Sequence, residues 1–285
     1  MGFSSYSNIG NSLDAGKYHY QYLTKNSLSA VGTAGYWLDL SPSSGQPKYN
    51  AYAGTQQAAN QMFGSGNDGI FQGSVYSGST KHLVRWNANT TAAVVPAYLQ
   101  LCDYLMFYPL IDGDSLDQQD LDNFVSLPRY TDGRGVRAML VAASPMVSTA
   151  TLSISYTNQD GVSGRVVTFS VVAGSVIGNI VSCQGTSAGA NSLTPFIPLA
   201  SGDTGIRSVQ SLTMLSGSGG FMNLVLVKPL AELSLLEASV DAEKHFGPEF
   251  LRMPEIKSGA YLNLIAMNGA TAAWNLRCEF LFVSS

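Results

Sequence analysis

Charge is what this 285-residue chain has least of. Asp, Glu, Lys and Arg together make up 12% of it, about half the share of an ordinary globular protein. The formal net charge is −4, and there is no run of Lys or Arg. A nucleic-acid partner leaves a basic stripe, so none is expected. Cysteine is nearly as scarce. Cys102, Cys183 and Cys278 are odd in number, far apart and outside any CxxC or Cys/His cluster. That pattern excludes a disulfide framework and a zinc ribbon, and predicts buried, reduced thiols in a protein assembled in a cytoplasm. No apolar stretch approaches the ~18 residues of a membrane-spanning helix, so no membrane partner is expected. The opening Met1-Gly2-Phe3-Ser4-Ser5 lacks the basic and apolar regions of a secretory signal.

What is present is Gly (29), Tyr (14), and abundant Ser, Thr and Asn. A chain of this length can bury roughly 75% of its unfolded surface. A polar but little-charged exterior suits a protein covered by partners, because net charge is what keeps free monomers apart.

Alternation of apolar and polar residues dominates from residue 81 onward. Leu99 to Tyr108 is long, aromatic and broadly alternating. Val136 to Ala142 is an apolar run broken only by Arg137, as expected of a strand buried on both faces. Leu152, Ile154 and Tyr156 alternate with Thr151, Ser153 and Ser155. Val166 to Val172 alternates again after Asn158-Gln159-Asp160-Gly161, predicting a hairpin. Further strands are read at Leu212–Leu215, Phe221–Val227, Tyr261–Met267 and Leu276–Val283. In the last of these, Leu276, Cys278, Phe280 and Phe282 share the core face.

Three segments read differently. Ala231 to Lys244 has helical composition, with Leu233, Leu236 and Val240 at helical spacing. Ser12 to Asn26 reads as a short helix capped by Ser12 or as an aromatic arm. Thr55 to Phe63 carries a weaker helical pattern. The expected architecture is all-β, a jelly-roll-like β-sandwich with long loops and an extended N-terminal segment. Residues 1–80 are expected as an arm or elaborated loops, and 81–285 as the sandwich domain.

Motifs for chemistry are weak. Gly64-Ser65-Gly66-Asn67-Asp68-Gly69 spells GxGxxG but lacks the preceding strand and following helix of a dinucleotide site. Gly185-Thr186-Ser187-Ala188-Gly189 spells GxSxG, yet runs into a Ser/Gly loop with His245 the only later histidine. Asp112, Asp114, Asp117, Asp120 and Asp122 are the best metal candidates. An EF-hand starting at Asp112 would need Gly at 117 and Glu at 123, where Asp117 and Asn123 stand. A solvated acidic loop is the expected reading. His19, His82 and His245 are scattered, and no pair of carboxylates is singled out for glycoside hydrolysis. No cofactor, no metal and no enzymatic activity are expected.

Gly35-Tyr36-Trp37-Leu38-Asp39-Leu40 and Pro47-Lys48-Tyr49-Asn50-Ala51-Tyr52-Ala53-Gly54-Thr55 resemble proteins encoded beside the capsid genes of tailed bacteriophages. Tyr104 to Pro109, Leu127 to Arg137 and the strand Tyr261 to Met267 share the resemblance, which spans most of the chain. It implies a head cement or decoration protein in the virion, on the capsid surface. The implied partners are the major capsid protein and further copies of itself, as a trimer. Tyrosines supply contact area with a polar handle, and Arg pairs with shell carboxylates. Tyr36, Trp37, Tyr49, Tyr52, Arg129, Arg134 and Arg137 are therefore the candidate contacts. The bland alternative is that the tyrosines pack the chain's own sheets and the arginines decorate a turn. A tail-fibre or spike protein recognising host-surface carbohydrate is the second functional reading.

Overall fold

The structure, a computed structural model, describes residues 2–28, 35–64, 68–74, 76, 78–91, 97–174, 176–182, 194–248, 253–270 and 273–285. Among these residues one helix, α1 (Tyr6–Asp14), precedes sixteen strands. In chain order these are β1 (Tyr18–Leu28), β2 (Trp37–Asp39), β3 (Gly45–Gln46), β4 (Asn60–Gln61), β5 (Lys81–Thr90) and β6 (Ala97–Asp112). They continue with β7 (Gln119–Asp120), β8 (Arg137–Ala142), β9 (Ala150–Asn158), β10 (Arg165–Val171) and β11 (Ile206–Met214). The last are β12 (Phe221–Leu235), β13 (Ala242–His245), β14 (Glu255–Ile256), β15 (Tyr261–Asn268) and β16 (Trp274–Ser284).

The strands form three sheets, and pairing between these strands is antiparallel throughout. The first has the order β13-β5-β16-β1-β3, with β14 also on β5. The second runs β2-β15-β6-β12-β8, with β4 on β6. The third runs β10-β9-β11-β7. The expected all-β sandwich is observed, with the second sheet serving as a shared layer.

Side-chain alternation shows how the layers stack. Leu23, Leu83, Trp86, Phe280 and Phe282 of the first sheet pack on Leu99, Leu101, Leu233, Leu262 and Leu264 of the second. Leu152, Ile154, Val209 and Leu212 of the third sheet pack on Leu140, Leu224 and Leu226, farther along the second. The alternate residues Met139, Val141, Val225, Val227 and Ile265 face the other way. Trp37, Tyr52, Met62, Ile180 and Phe196 cover that reverse side. Both faces of the second sheet are thus buried, as the apolar run from Ala138 to Ala142 in β8 predicts. Each fully buried large apolar side chain contributes roughly 1.5–3 kcal/mol.

The long β6–β12 pair bends at three register shifts. Pro229 lies at one of them, where the ladder is already interrupted and its missing N–H costs least. The predicted hairpin is β9–β10, in unbroken register from Arg165↔Tyr156 to Val171↔Ala150. Leu276, Cys278, Phe280 and Phe282 of β16 are all buried, as expected. Cys102 and Cys278 are free and buried, whereas Cys183 lies outside the described residues.

Several expectations are corrected. Ala231–Lys244 is not a helix. β12 continues to Leu235, paired with Ala97, with Leu233 and Leu235 turned inward. Leu236 and Val240 are 70% and 51% exposed, so the helical spacing finds no core to face. Pairing with β6 overrides local propensity. The early helix is α1, capped by Ser5, whose Oγ accepts from Asn8 N at 3.3 Å. Ser12 is inside it. Gly16 ends the segment at φ +70°, and Tyr18–Asn26 becomes strand. Residues 55–63 hold turns and β4 in place of a helix. The first 80 residues supply β1 to β4, and β1 pairs along nearly its whole length with β16.

Candidate functional site

A groove of about 480 Å³ opens on the reverse side of the second sheet, over Met62, Phe107 and Tyr261. Its rim carries Tyr49 and Phe63, 52% and 54% exposed. Asn50, Asn60 and Gln61 add amides, and Lys48 pairs with Asp68 at 2.8 Å.

Two buried carboxylates fix the loops that build this groove. Asp39 stands at the end of β2, 1% exposed. Its Oδ1 accepts from Tyr104 Oη at 2.7 Å and from Ser41 N at 3.0 Å, and its Oδ2 accepts from Tyr52 Oη. Burial raises the Asp39 carboxyl above the usual carboxylate range, and these donors hold it back. Burial also drives the Tyr52 and Tyr104 phenols well above 10, with Asp39 adding to both. Tyr52 reaches its partner because the backbone there turns into the left-handed region, φ +55°. Asn50 Oδ1 accepts from Tyr52 N at 2.9 Å and fixes that turn. Asn50 Nδ2 then donates to Tyr261 Oη at 3.0 Å. Lys25 closes the loop from the other side, donating to Ser43 O at 3.0 Å and Pro47 O at 2.8 Å. Its burial lowers the ammonium to about 8, with Asp39 opposing.

Asp103, fully buried in β6, binds Arg129 through two bonds of 2.9 and 2.7 Å. Arg129 also donates to the carbonyls of Met62 at 3.1 Å and Tyr104 at 3.0 Å, and lies 5.6 Å from the Phe63 ring centre. Tyr261 N donates to Asp103 Oδ1 at 3.1 Å. One ion pair thereby holds the 62–63 turn, the 129 loop and β15 together. Burial raises the Asp103 carboxyl, and Arg129 opposes the rise.

The proposed contacts divide accordingly. Tyr52, Trp37 and Arg129 are buried in the interior of this chain, where surface contacts were expected. Each saturates groups or apolar area inside the chain. Tyr36 is half-buried against the same cluster. Arg137 donates to Ile197 O at 3.3 Å and stacks over Phe196, so it is also partly internal. Tyr49 and Arg134 remain exposed, and Arg134 pairs with Asp160 at 3.0 Å. The seven do not converge on one surface. Sequence reading missed Asp39 and Asp103. The signal for both is a lone carboxylate inside an apolar strand, in YWLDL and LQLCDYLMF, which demands a buried partner.

The acidic run closes turns. Asp112 Oδ1 accepts from Asp114 N at 2.9 Å, and Asp114 Oδ1 from Gly219 N at 2.9 Å. Among the described residues no group of three or more His, Cys, Asp or Glu is placed to hold a metal ion. Gly64 and Gly69 lie against β15, where a Cβ would meet the carbonyls of Ala260 at 2.2 Å and Leu262 at 2.9 Å. The rest of that motif, residues 65–67, and the GxSxG at 185–189 fall outside the described residues, apart from Asp68. The titratable groups that line the groove are the paired Lys48 and Asp68 and the phenols of Tyr49 and Tyr261.

A row of exposed aromatic side chains lies elsewhere. Tyr18, Tyr20 and Tyr22 alternate on the outer face of β1, 43%, 42% and 62% exposed. Arg85 stands 5.7 Å over Tyr20 and pairs with Glu279 and Glu243. No helix among the described residues is long and apolar enough to cross a membrane.

No family model matches this chain, and no curated protein does. Among solved structures, the VP2 subviral particle of infectious bursal disease virus aligns at 10% identity and a TM-score of 0.19, covering 93% of this chain and 80% of that one. The Gt strain of the same virus aligns at 11% identity and a TM-score of 0.20, covering 94% and 80%. At those scores neither alignment bears on fold or function, and the reading of this chain rests on its own residues.

Proposed function

We propose that this chain is a structural component of a virus particle, a cement or decoration protein on the outside of an assembled phage head. Its partners in this reading are the major capsid protein and its own copies, as a trimer. The observation that carries it is the outer face of the first sheet. There a row of three exposed tyrosines stands beside the paired charges of Arg85, Glu279 and Glu243. Tyrosine and arginine are the residues that contact surfaces favour. A protein that binds only the assembled lattice shifts the equilibrium toward it, and repeated weak contacts sum through multivalency.

Copy number in purified particles, by quantitative mass spectrometry, tests this directly. A ratio near one per shell subunit is expected, and Tyr22→Glu should empty most sites while leaving the free chain folded. Absence from the particle would end the virion reading.

The groove favours a second reading, recognition of host-surface carbohydrate by a tail-fibre or spike component. Exposed Tyr49 and Phe63 offer stacking faces beside three amides, and the charged lining residues Lys48 and Asp68 are paired with each other. On this reading the protein is present at far below shell stoichiometry. Phe63→Ala then weakens saccharide binding at least tenfold, about 1.4 kcal/mol, on a glycan array followed by calorimetry. A wild-type chain that binds no saccharide on the array removes this reading.

A further inference from the structure

β10 is the border strand of the third sheet, and no described segment pairs with its outer side. Such a border offers a row of unpaired N–H and C=O groups to any other strand. Proteins blunt that hazard with short strands, Lys, Pro, bulges or a covering segment. Other borders of this molecule follow the rule. β3 and β7 have two residues each, and β13 carries Glu243 and Lys244. The outer side of β8 is occupied by backbone bonds: Ala142 N to Asn179 O, Val181 N to Leu140 O and Ile197 N to Ala138 O.

Among the described residues β10 itself has none of these protections, and only past its end does Val172 N donate to Val181 O at 3.0 Å. It is seven residues long, its register with β9 is unbroken, and it contains no Pro, Lys, Asp or Glu. Its one charge, Arg165, is turned aside by Asp203 at 2.9 Å and Ser201 O at 3.0 Å.

We propose that β10 pairs antiparallel with β10 of a second copy across a two-fold axis, fusing two third sheets into one of eight strands. The occupant follows from the strand's self-complementarity. Read against itself about Thr168, the sequence RVVTFSV sets Thr168 opposite Thr168, Val167 opposite Phe169 and Val166 opposite Ser170. Arg165 meets Val171, so the two arginines lie at opposite ends of the ladder, about 20 Å apart. Threonine pairs and aromatic–β-branched pairs are favourable cross-strand neighbours, and no like charges meet. Val167, Phe169 and Val171 already face the core beneath the third sheet, so the paired sheet continues one apolar layer across the axis. A strand of different sequence gains the backbone bonds but not this register. The contact closes on itself, so it joins two protomers, or two larger rings, and stops there. It does not depend on the virion reading.

Sedimentation of the full chain between ~1 and ~100 µM decides it, the range in which a modest interface associates. Thr168→Lys sets two ammonium groups face to face at the axis, on an exposed position where the monomer tolerates it. The wild-type assembly is expected to have twice the mass of the Thr168→Lys assembly, with the two circular dichroism spectra superimposing. Val147→Lys, in a loop 82% exposed, should leave the wild-type mass unchanged. Equal masses for wild type and Thr168→Lys across the range overturn the proposal. If that variant fails to fold, Thr168→Cys decides instead, with oxidised glutathione and the wild type run in parallel. A covalent dimer specific to the variant is expected, and no cross-link overturns the pairing.

Discussion

Replacing Arg129 by methionine should lower the unfolding free energy by about 3–5 kcal/mol, read from urea denaturation at neutral pH. The change strands Asp103, which has no exposure and loses both of its charged hydrogen bonds. It also leaves the carbonyls of Met62 and Tyr104 without the guanidinium donors they accept from. The penalty has a predictable pH dependence. Asp103 is already raised by burial, and without Arg129 it rises further. A carboxyl raised in the folded state favours folding below the unfolded value and costs stability as pH climbs past it. The defect of Arg129→Met should therefore shrink when unfolding is repeated near pH 4. Adding Asp103→Leu should recover much of the loss, because a buried ion pair is often worth little more than apolar residues of the same volume. A single-variant loss below about 1 kcal/mol would refute the keystone role given to this pair.

Alkali should unfold the protein abruptly. Burial raises the phenols of Tyr52, Tyr104 and Tyr108, and raises those of Tyr156 and Tyr261 to about 12. Cys102 is pushed up in the same way, and Cys278 to about 12. These acids keep their protons in the folded chain while the unfolded chain releases them, so stability falls as pH rises past the unfolded values. Each group then costs roughly 1.4 kcal/mol per pH unit. Lys25 and Lys81 work in the opposite direction. Burial lowers both to about 8, so from there to the ordinary lysine value the unfolded chain holds protons that the folded chain has lost. Stability rises with pH in that window, offsetting the two thiols, and the gain is complete near 10.5. The melting temperature should stay nearly level from pH 8 to 9.5 and fall by at least ~15 °C by pH 11. Calorimetry showing the same melting temperature at pH 8 and pH 11 would contradict this account.

The fold was more legible in the sequence than the site. β8, β16 and the β9–β10 hairpin announce themselves because one-face and two-face burial leave distinct apolar patterns. The far end of β12 does not, because its partner β6 lies more than a hundred residues earlier and no local signal reports that pairing. Leu233, Leu236 and Val240 mimic a helical face by spacing alone. Site residues fail for a related reason. Tyr52 and Arg129 look like surface contacts in a polar, Gly-rich context, yet Asp39 and Asp103 draw them inward from 13 and 26 residues away. A polar side chain's direction is set by its partner, and a sequence shows the partner only when both stand in one motif. Tyr18, Tyr20 and Tyr22 alternate in plain view, but their outward direction depends on β16.

That dependence has a consequence for biosynthesis. β16 lies between β5 and β1 in the first sheet, bonded to both, yet it follows every other strand of the chain. A nascent polypeptide can assemble the β9–β10 hairpin and the β6–β12 ladder while still tethered to the ribosome. The first sheet must wait with a gap at its centre until residue 284 emerges. Until then Leu23, Leu83 and Trp86 have no strand between them, and a stalled or prematurely terminated chain exposes that half-core to aggregation or chaperones.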